Sequence, residues 1–311
     1  MTFLWIIVFI LSLAAMIRGG DWFLDGAEKM GLAFGLSPFI VGTTIVAAGT
    51  SFPELIAGIF AITDGATDMV IGNVIGSNIA NILLVMGIAA VFGGFLAIKK
   101  DIMNLDLPLL AITTGLFVAI VWDGVITFPE ALILLLGQVI YLLYTIYHRD
   151  HIDDKDMKPV AVRLCTIDIV LFLIGATALI FGARFLVTSV IELAEIFNIT
   201  TGVIAVSAVA LGTSLPELFV SIKAARAGKS EIAFGNIFGS NVFNIFIVAG
   251  IPALITPLYA DPQTMAIGLP FLIIATLIFL FSGLSRRIYI WEGLLYLLIY
   301  ILFIGKLFGF L

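Results

Sequence analysis

Two motifs recur at one fixed offset, and this duplication constrains the fold more than any other feature of the chain. Gly49-Thr50-Ser51-Phe52-Pro53-Glu54 returns as Gly212-Thr213-Ser214-Leu215-Pro216-Glu217. Gly72-Asn73-Val74-Ile75-Gly76-Ser77-Asn78-Ile79-Ala80-Asn81-Ile82 returns as Gly235-Asn236-Ile237-Phe238-Gly239-Ser240-Asn241-Val242-Phe243-Asn244-Ile245. Both pairs lie 163 residues apart, with no insertion between them. Five of six positions are identical in the first block, and the second keeps both glycines, the serine and all three asparagines. The chain is two copies of one unit, and the fold must relate them by symmetry.

The medium of that fold follows from composition. Of 311 residues, 62% are apolar and only 12% charged, against about half and a quarter in a soluble domain. This excludes an ordinary cytosolic enzyme, a disordered chain and a nucleic-acid binder. The apolar runs are long and do not alternate, so they read as helices and not as barrel strands. Spans are expected at about 3–27, 37–63, 69–93, 105–122, 127–147, 166–189, 200–226, 231–256, 264–283 and 289–309. The fold class is thus an all-α polytopic membrane protein with ten transmembrane helices in two repeats of five. Because five is odd, the repeats cross the membrane in opposite directions, the inverted topology of secondary transporters.

Basic residues sort by side. Loops after odd-numbered spans, with the last turns of the seventh, hold Lys29, Lys99, Lys100, Arg149, Lys155, Lys158, Arg163, Lys223, Arg226, Lys229, Arg286 and Arg287. The other side has only Lys306, while Arg18 and Arg184 fall within spans. The positive-inside rule then predicts cytoplasmic odd-to-even loops and both termini outside a cell membrane. The N-terminus lacks a basic leader and reads as the first span. Residues 148–165 form the expected cytoplasmic linker between a first repeat, 1–147, and a second, 166–311. Asp153, Asp154 and Asp156 in that linker read as solvated, since a calcium loop needs a longer ligand set and a turn glycine. With one cysteine, Cys165, no intramolecular disulfide forms.

The motifs carry the chemistry. Pro53 and Pro216 each remove an amide donor inside an apolar helix, so a kink or unwinding is predicted there. Carbonyls freed at that depth must line a cavity or meet a ligand, and Ala47 and Ala210 are the candidates. Glu54 and Glu217 decide the reading. A carboxylate at the bilayer centre costs about 2.5–3.5 kcal/mol on insertion scales, and no Lys or Arg in either motif offsets it. Two converging carboxylates match one divalent cation. Thr50, Ser51, Ser77, Asn81, Thr213, Ser214, Ser240 and Asn244 add neutral oxygens. Such a set suits calcium or sodium and lacks the thiolate and imidazole ligands that favour zinc or copper. The bland alternatives are glycines that serve helix packing, asparagines that bond between helices, and protonated structural carboxyls. Arg18, Asp21 and Arg184 read as interfacial groups, and Trp5, Trp22, Trp122 and Trp291 as interface anchors.

The double signature resembles the repeats of the cation/calcium exchanger superfamily, in particular its compact prokaryotic sodium/calcium exchangers. The resemblance implies that the second and seventh helices bend at the first motif, and the third and eighth at the second. It implies four central cation sites, with Glu54 and Glu217 on calcium. Thr50, Ser51, Ser77, Thr213, Ser214 and Ser240, with carbonyls of Ala47 and Ala210, would serve flanking sodium. The first and sixth helices would slide as gates. One position departs: Asn244 stands where such exchangers often carry Asp, which casts doubt on borrowed coupling ratios and argues against potassium dependence.

The expected activity is therefore calcium–sodium antiport by alternating access at a midplane site, with no cofactor and no required protein partner. The rival is proton/calcium antiport on the same scaffold, because carboxylates in a low-dielectric site can carry protons when empty. A passive channel would not need two inverted half-sites. An intramembrane enzyme is disfavoured because Ser51 and Ser214 have no His or Lys partner in the motifs.

Overall fold

The structure, a computed structural model, describes residues 2–33, 49–97, 107–149, 164–228 and 230–311. Ten helices can be traced among them. We label them α1 (Thr2–Ala33), α2 (described from Phe52 to Thr63), α3 (Thr67–Gly93), α4 (Leu107–Val121) and α5 (Phe128–Arg149) in the first half. The second half has α6 (Thr166–Phe197), α7 (Thr201–Arg226), α8 (residues 230–255), α9 (Thr264–Leu284) and α10 (Ile290–Leu307). Seven are long and apolar enough to cross a bilayer, and the described parts of α2, α4 and α5 are shorter apolar helices. The protein is an all-α membrane protein of two inverted five-helix repeats.

Most boundaries fall within three residues of expectation, but two helices run longer. α1 continues to Ala33, and α6 continues eight residues past position 189. That last segment carries Glu192 and Glu195, which lower its hydropathy without interrupting the helix. The helix stops only at Asn198, whose backbone turns left-handed at φ 54°, a conformation asparagine tolerates better than most residues.

Burial separates centre from rim. α3 and α8 are mostly enclosed, whereas α1, α6, α9 and α10 leave most of their surface open. The open surface is apolar, as on Ile10 and Leu11, Phe181 and Phe185, and Leu298 and Ile301, which suits contact with acyl chains. Trp122 and Trp291 stand exposed at the end of α4 and the start of α10, as expected of interface anchors.

α1 and α6 form an antiparallel pair at the rim. Their approach is close because small residues face backbone: a Cβ on Gly19 would lie 2.9 Å from the Gly175 carbonyl oxygen, a small-residue seam of the kind membrane helices use. Lys29 bonds Asp168 across the pair at one end. Arg184 pairs with Asp64 at the end of α2.

Strands were expected nowhere as spanning elements, and none spans among the described residues. The loops nonetheless form two short antiparallel ribbons. Phe95–Ala97 (β1) pairs with Arg287–Tyr289 (β4), and Val125–Ile126 (β2) pairs with Leu258–Tyr259 (β3). Loop backbone needs hydrogen-bond partners, and each strand finds them in the other half. β1 follows α3 and β4 follows α9, so that ribbon lies on the odd-loop face, and β2–β3 lies on the opposite one. The registers are mirror images: adding 163 to Phe95 and subtracting it from Tyr289 turns that pair into Leu258 with Ile126, which is also observed.

Candidate cation site

The first motif breaks its helix in both repeats. In the first, the chain turns at Thr50 and Ser51, and α2 resumes at Phe52 with Pro53 in its first turn. In the second, Ser214 leaves helical geometry at ψ 4° and the helix resumes at Leu215. The prolines produce this by withholding the amide that would continue the ladder. The Ala210 carbonyl, expected to be released, still accepts the Ser214 amide at 3.1 Å. The break falls later because the donor missing at Pro216 would have served Gly212, not Ala210. Ala47 lies outside the described residues.

The second motif runs into wide turns. Residues Ala80–Val85 in α3 and Asn244–Val248 in α8 form π-helical turns, in matching registers of the two repeats. In the second, the Ala249 amide reaches five residues back to the Asn244 carbonyl at 3.1 Å. Such bulges gather at functional positions because they re-aim side chains within an otherwise continuous helix.

These breaks bring the motifs together. Ser51 donates to Glu217 Oε1 at 3.4 Å, and Ser240 donates to the same oxygen at 3.2 Å. Thr50 and Ser240 hydroxyls meet at 3.3 Å. One residue set from the first repeat thus meets the glutamate of the second, and Glu54 lies within electrostatic reach of Glu217. Asn236 fixes the local helix by donating to the Glu217 carbonyl and to Ser221 Oγ, both at 3.1 Å. Ser77 donates to Asn73 within its own helix, and Thr213 to the Val209 carbonyl. Asn81 Nδ2 donates across the repeats to Asn241 Oδ1 at 3.1 Å.

Every predicted side chain of the two motifs is buried, and Glu54 and Glu217 expose no surface at all. Both Glu54 carboxylate oxygens, Glu217 Oε2, Asn81 Oδ1, Asn244 Oδ1 and Ser214 Oγ have no hydrogen-bond partner. Among the described residues, the unpartnered buried polar side-chain atoms outside the motifs belong only to Gln138, Asp261 and Thr264. Buried polar atoms are normally bonded, and leaving one bare costs about 1–3 kcal/mol, more for a charge. Three bare amide nitrogens, of Asn78, Asn241 and Asn244, lie in the same motifs, but the charge is all on the acceptor side: two buried carboxylates with neutral oxygens in the same motifs are the donor set that a hard cation takes.

Sequence reasoning passed over Asn78 and Asn241. Both are fully enclosed, and Asn78 has neither of its polar atoms partnered. Their signal was present: they are one of the three identical asparagine pairs in the duplicated block.

Comparison with known proteins gives a consistent result. A family profile described as "Sodium/calcium exchanger protein" matches residues 4–147 and 167–308. The sodium/calcium exchanger MaX1 of Methanosarcina acetivorans is 29% identical over 97% of this chain and 98% of its own. The uncharacterized membrane protein MJ0091 of Methanocaldococcus jannaschii is 33% identical over 96% of both chains. The inner membrane protein YrbG of Escherichia coli is 32% identical over 87% of this chain and 86% of its own. A solved structure of the sodium-calcium exchanger NCX_Mj superposes with a TM-score of 0.70 at 31% identity, covering 98% of this chain and 99% of that one. The duplicated motifs, the paired buried glutamates and these matches agree: the chain belongs to the sodium/calcium exchanger protein family.

Proposed function

We propose that this protein exchanges calcium for sodium across the cell membrane by alternating access at the central pocket. The observation that carries the reading is the state of the two glutamates. Three of their four carboxylate oxygens are buried without a donor, and a fold would not retain such groups for stability alone. In this reading Glu54 and Glu217 hold calcium. Thr50, Ser51, Ser77, Thr213, Ser214 and Ser240, with the amide oxygens of Asn81 and Asn244 and the Ala47 and Ala210 carbonyls, complete calcium and sodium coordination. Two carboxylates do not neutralise a calcium ion and several sodium ions together, so the cations compete for one site. No cofactor takes part.

Inverted repeats supply the mechanism, because two halves that exchange conformations open one site to each side in turn. The α1–α6 pair, packed at the rim, is the moving element in this proposal. The linker 148–165 between repeats 1–147 and 166–311 faces the cytoplasm, and both termini lie outside. A tag at either end that proteases reach only from the cytoplasmic side would reverse that orientation.

The test is calcium flux in proteoliposomes under gradients imposed one at a time. An outward sodium gradient is expected to drive calcium uptake, and external sodium to inhibit it competitively. Uptake that ignores sodium and follows a pH gradient would replace sodium by protons as the coupling ion. Uptake that needs no counter-ion would make the protein a passive conductor.

A further inference from the structure

Repeat symmetry gives each central contact a mirror image 163 residues away. Ser51 to Glu217 corresponds to Ser214 with Glu54. Ser240 to Glu217 corresponds to Ser77 with Glu54. Asn81 to Asn241 corresponds to Asn244 with Asn78. In all three pairs the first contact is made. The second is not: Ser214 Oγ, both Glu54 oxygens and both polar atoms of Asn78 and of Asn244 are unpartnered. Ser77 turns to Asn73 instead, and Thr213, which lies beside Glu54, donates to the Val209 carbonyl of its own helix. The asymmetry has one sense throughout, so it describes a state of the whole centre.

We infer that Asn78 and Asn241 are positioning residues that hold the site amides in alternation, Asn241 holding Asn81 in this state and Asn78 holding Asn244 in the mirrored one. The inference rests on the alternating-access reading above. The chemistry follows from what an amide offers. When Asn81 gives its Nδ2 to Asn241, its Oδ1 is left fixed and unpartnered, an oriented acceptor for a cation. Asn244 lacks that anchor, and its oxygen is not oriented in the same way. Exchanging the bonds exchanges which repeat presents an oriented amide oxygen. Because an amide both donates and accepts, the exchange leaves no charge unpaired. All four residues are fully enclosed, so an amide that loses its partner is not simply handed to bulk solvent.

The experiment reads the state without reading transport. In a Cys165→Ser background, Ser214→Cys serves as a common reporter, labelled by an impermeant thiol reagent applied to either face of sealed vesicles without sodium or calcium. Asn241→Leu is expected to shift the ratio of the two labelling rates about threefold toward the face closed in the present state, the size of an average polar contact between membrane helices. Asn78→Leu is expected to shift it about threefold the other way, and the double variant to return near the starting ratio. Opposite signs from two equally buried amides are not the result of merely loosened packing. Shifts of the same sign, or no shift in either, overturn the proposal. So does a residue that can be replaced by neither Leu nor Ala in folded protein, which marks its amide as structural. Labelling is independent of the ion carried, so an error in assigning sodium or calcium leaves this result standing.

Discussion

Glu54→Gln and Glu217→Gln should each lower sodium-driven calcium uptake by about a hundredfold or more, while the protein remains folded. Removing one partner of a buried charge interaction costs about 3–5 kcal/mol, and each 1.4 kcal/mol is tenfold in affinity. The companion effect has the opposite sign. Both Glu54 oxygens are buried without a hydrogen-bond partner, so replacing the carboxylate by a neutral amide of the same shape removes a buried charge. The melting temperature of Glu54→Gln without ions should therefore equal or exceed that of the parent, and calcium should no longer raise it. A variant that melts early and transports normally would take that glutamate out of the site.

The second large effect is steric. Gly72 and Gly235 occupy the same position of the duplicated block, yet their surroundings differ. A Cβ on Gly72 would come 2.5 Å from the Gly202 carbonyl oxygen and 3.1 Å from its Cα. Both are backbone and cannot swing aside, so α3 and α7 would have to part. Gly76, one turn on, has the same relation to Val206, with the Cα at 2.6 Å from the added carbon. Gly235 is exposed, with nothing described within 4 Å of an added Cβ. Gly72→Ala should lose about 1–3 kcal/mol or more through overpacking, seen as a large fall in melting temperature and in monodisperse yield. Gly235→Ala should be neutral or mildly stabilising, since alanine is the better helix former. Equal sensitivity of the two positions would contradict the α3–α7 contact.

This pair of glycines also marks where sequence reading stops. The duplicated blocks, hydropathy and an odd number of spans per copy were enough for ten helices in inverted repeats, and the unoffset Glu54 and Glu217 were enough for a buried acidic pair. A repeat in sequence, however, implies equal environments, whereas the molecule adopts one state in which its halves are unequal. Nothing in two nearly matching blocks says that Ser51 reaches Glu217 while Ser214 misses Glu54, or that Asn81 is anchored while Asn244 is not. The length of α6 has a different cause: a span estimated from hydropathy ends where the apolar run ends, whereas the helix itself carries on through Glu192 and Glu195 to Phe197. The ribbons were hidden because two- and three-residue strands carry no periodicity, and their partners are nearly 200 or about 130 residues away.

The ribbons tie the two halves together. Among the described residues β1 pairs only with β4, and β2 only with β3, so each half takes the partners of both its strands from the other half. Two such halves inserted in opposite orientations would close both edges at once, with the same register at each face. The two ribbons therefore form a self-complementary seam, the kind of contact that an antiparallel pair of equivalent halves makes.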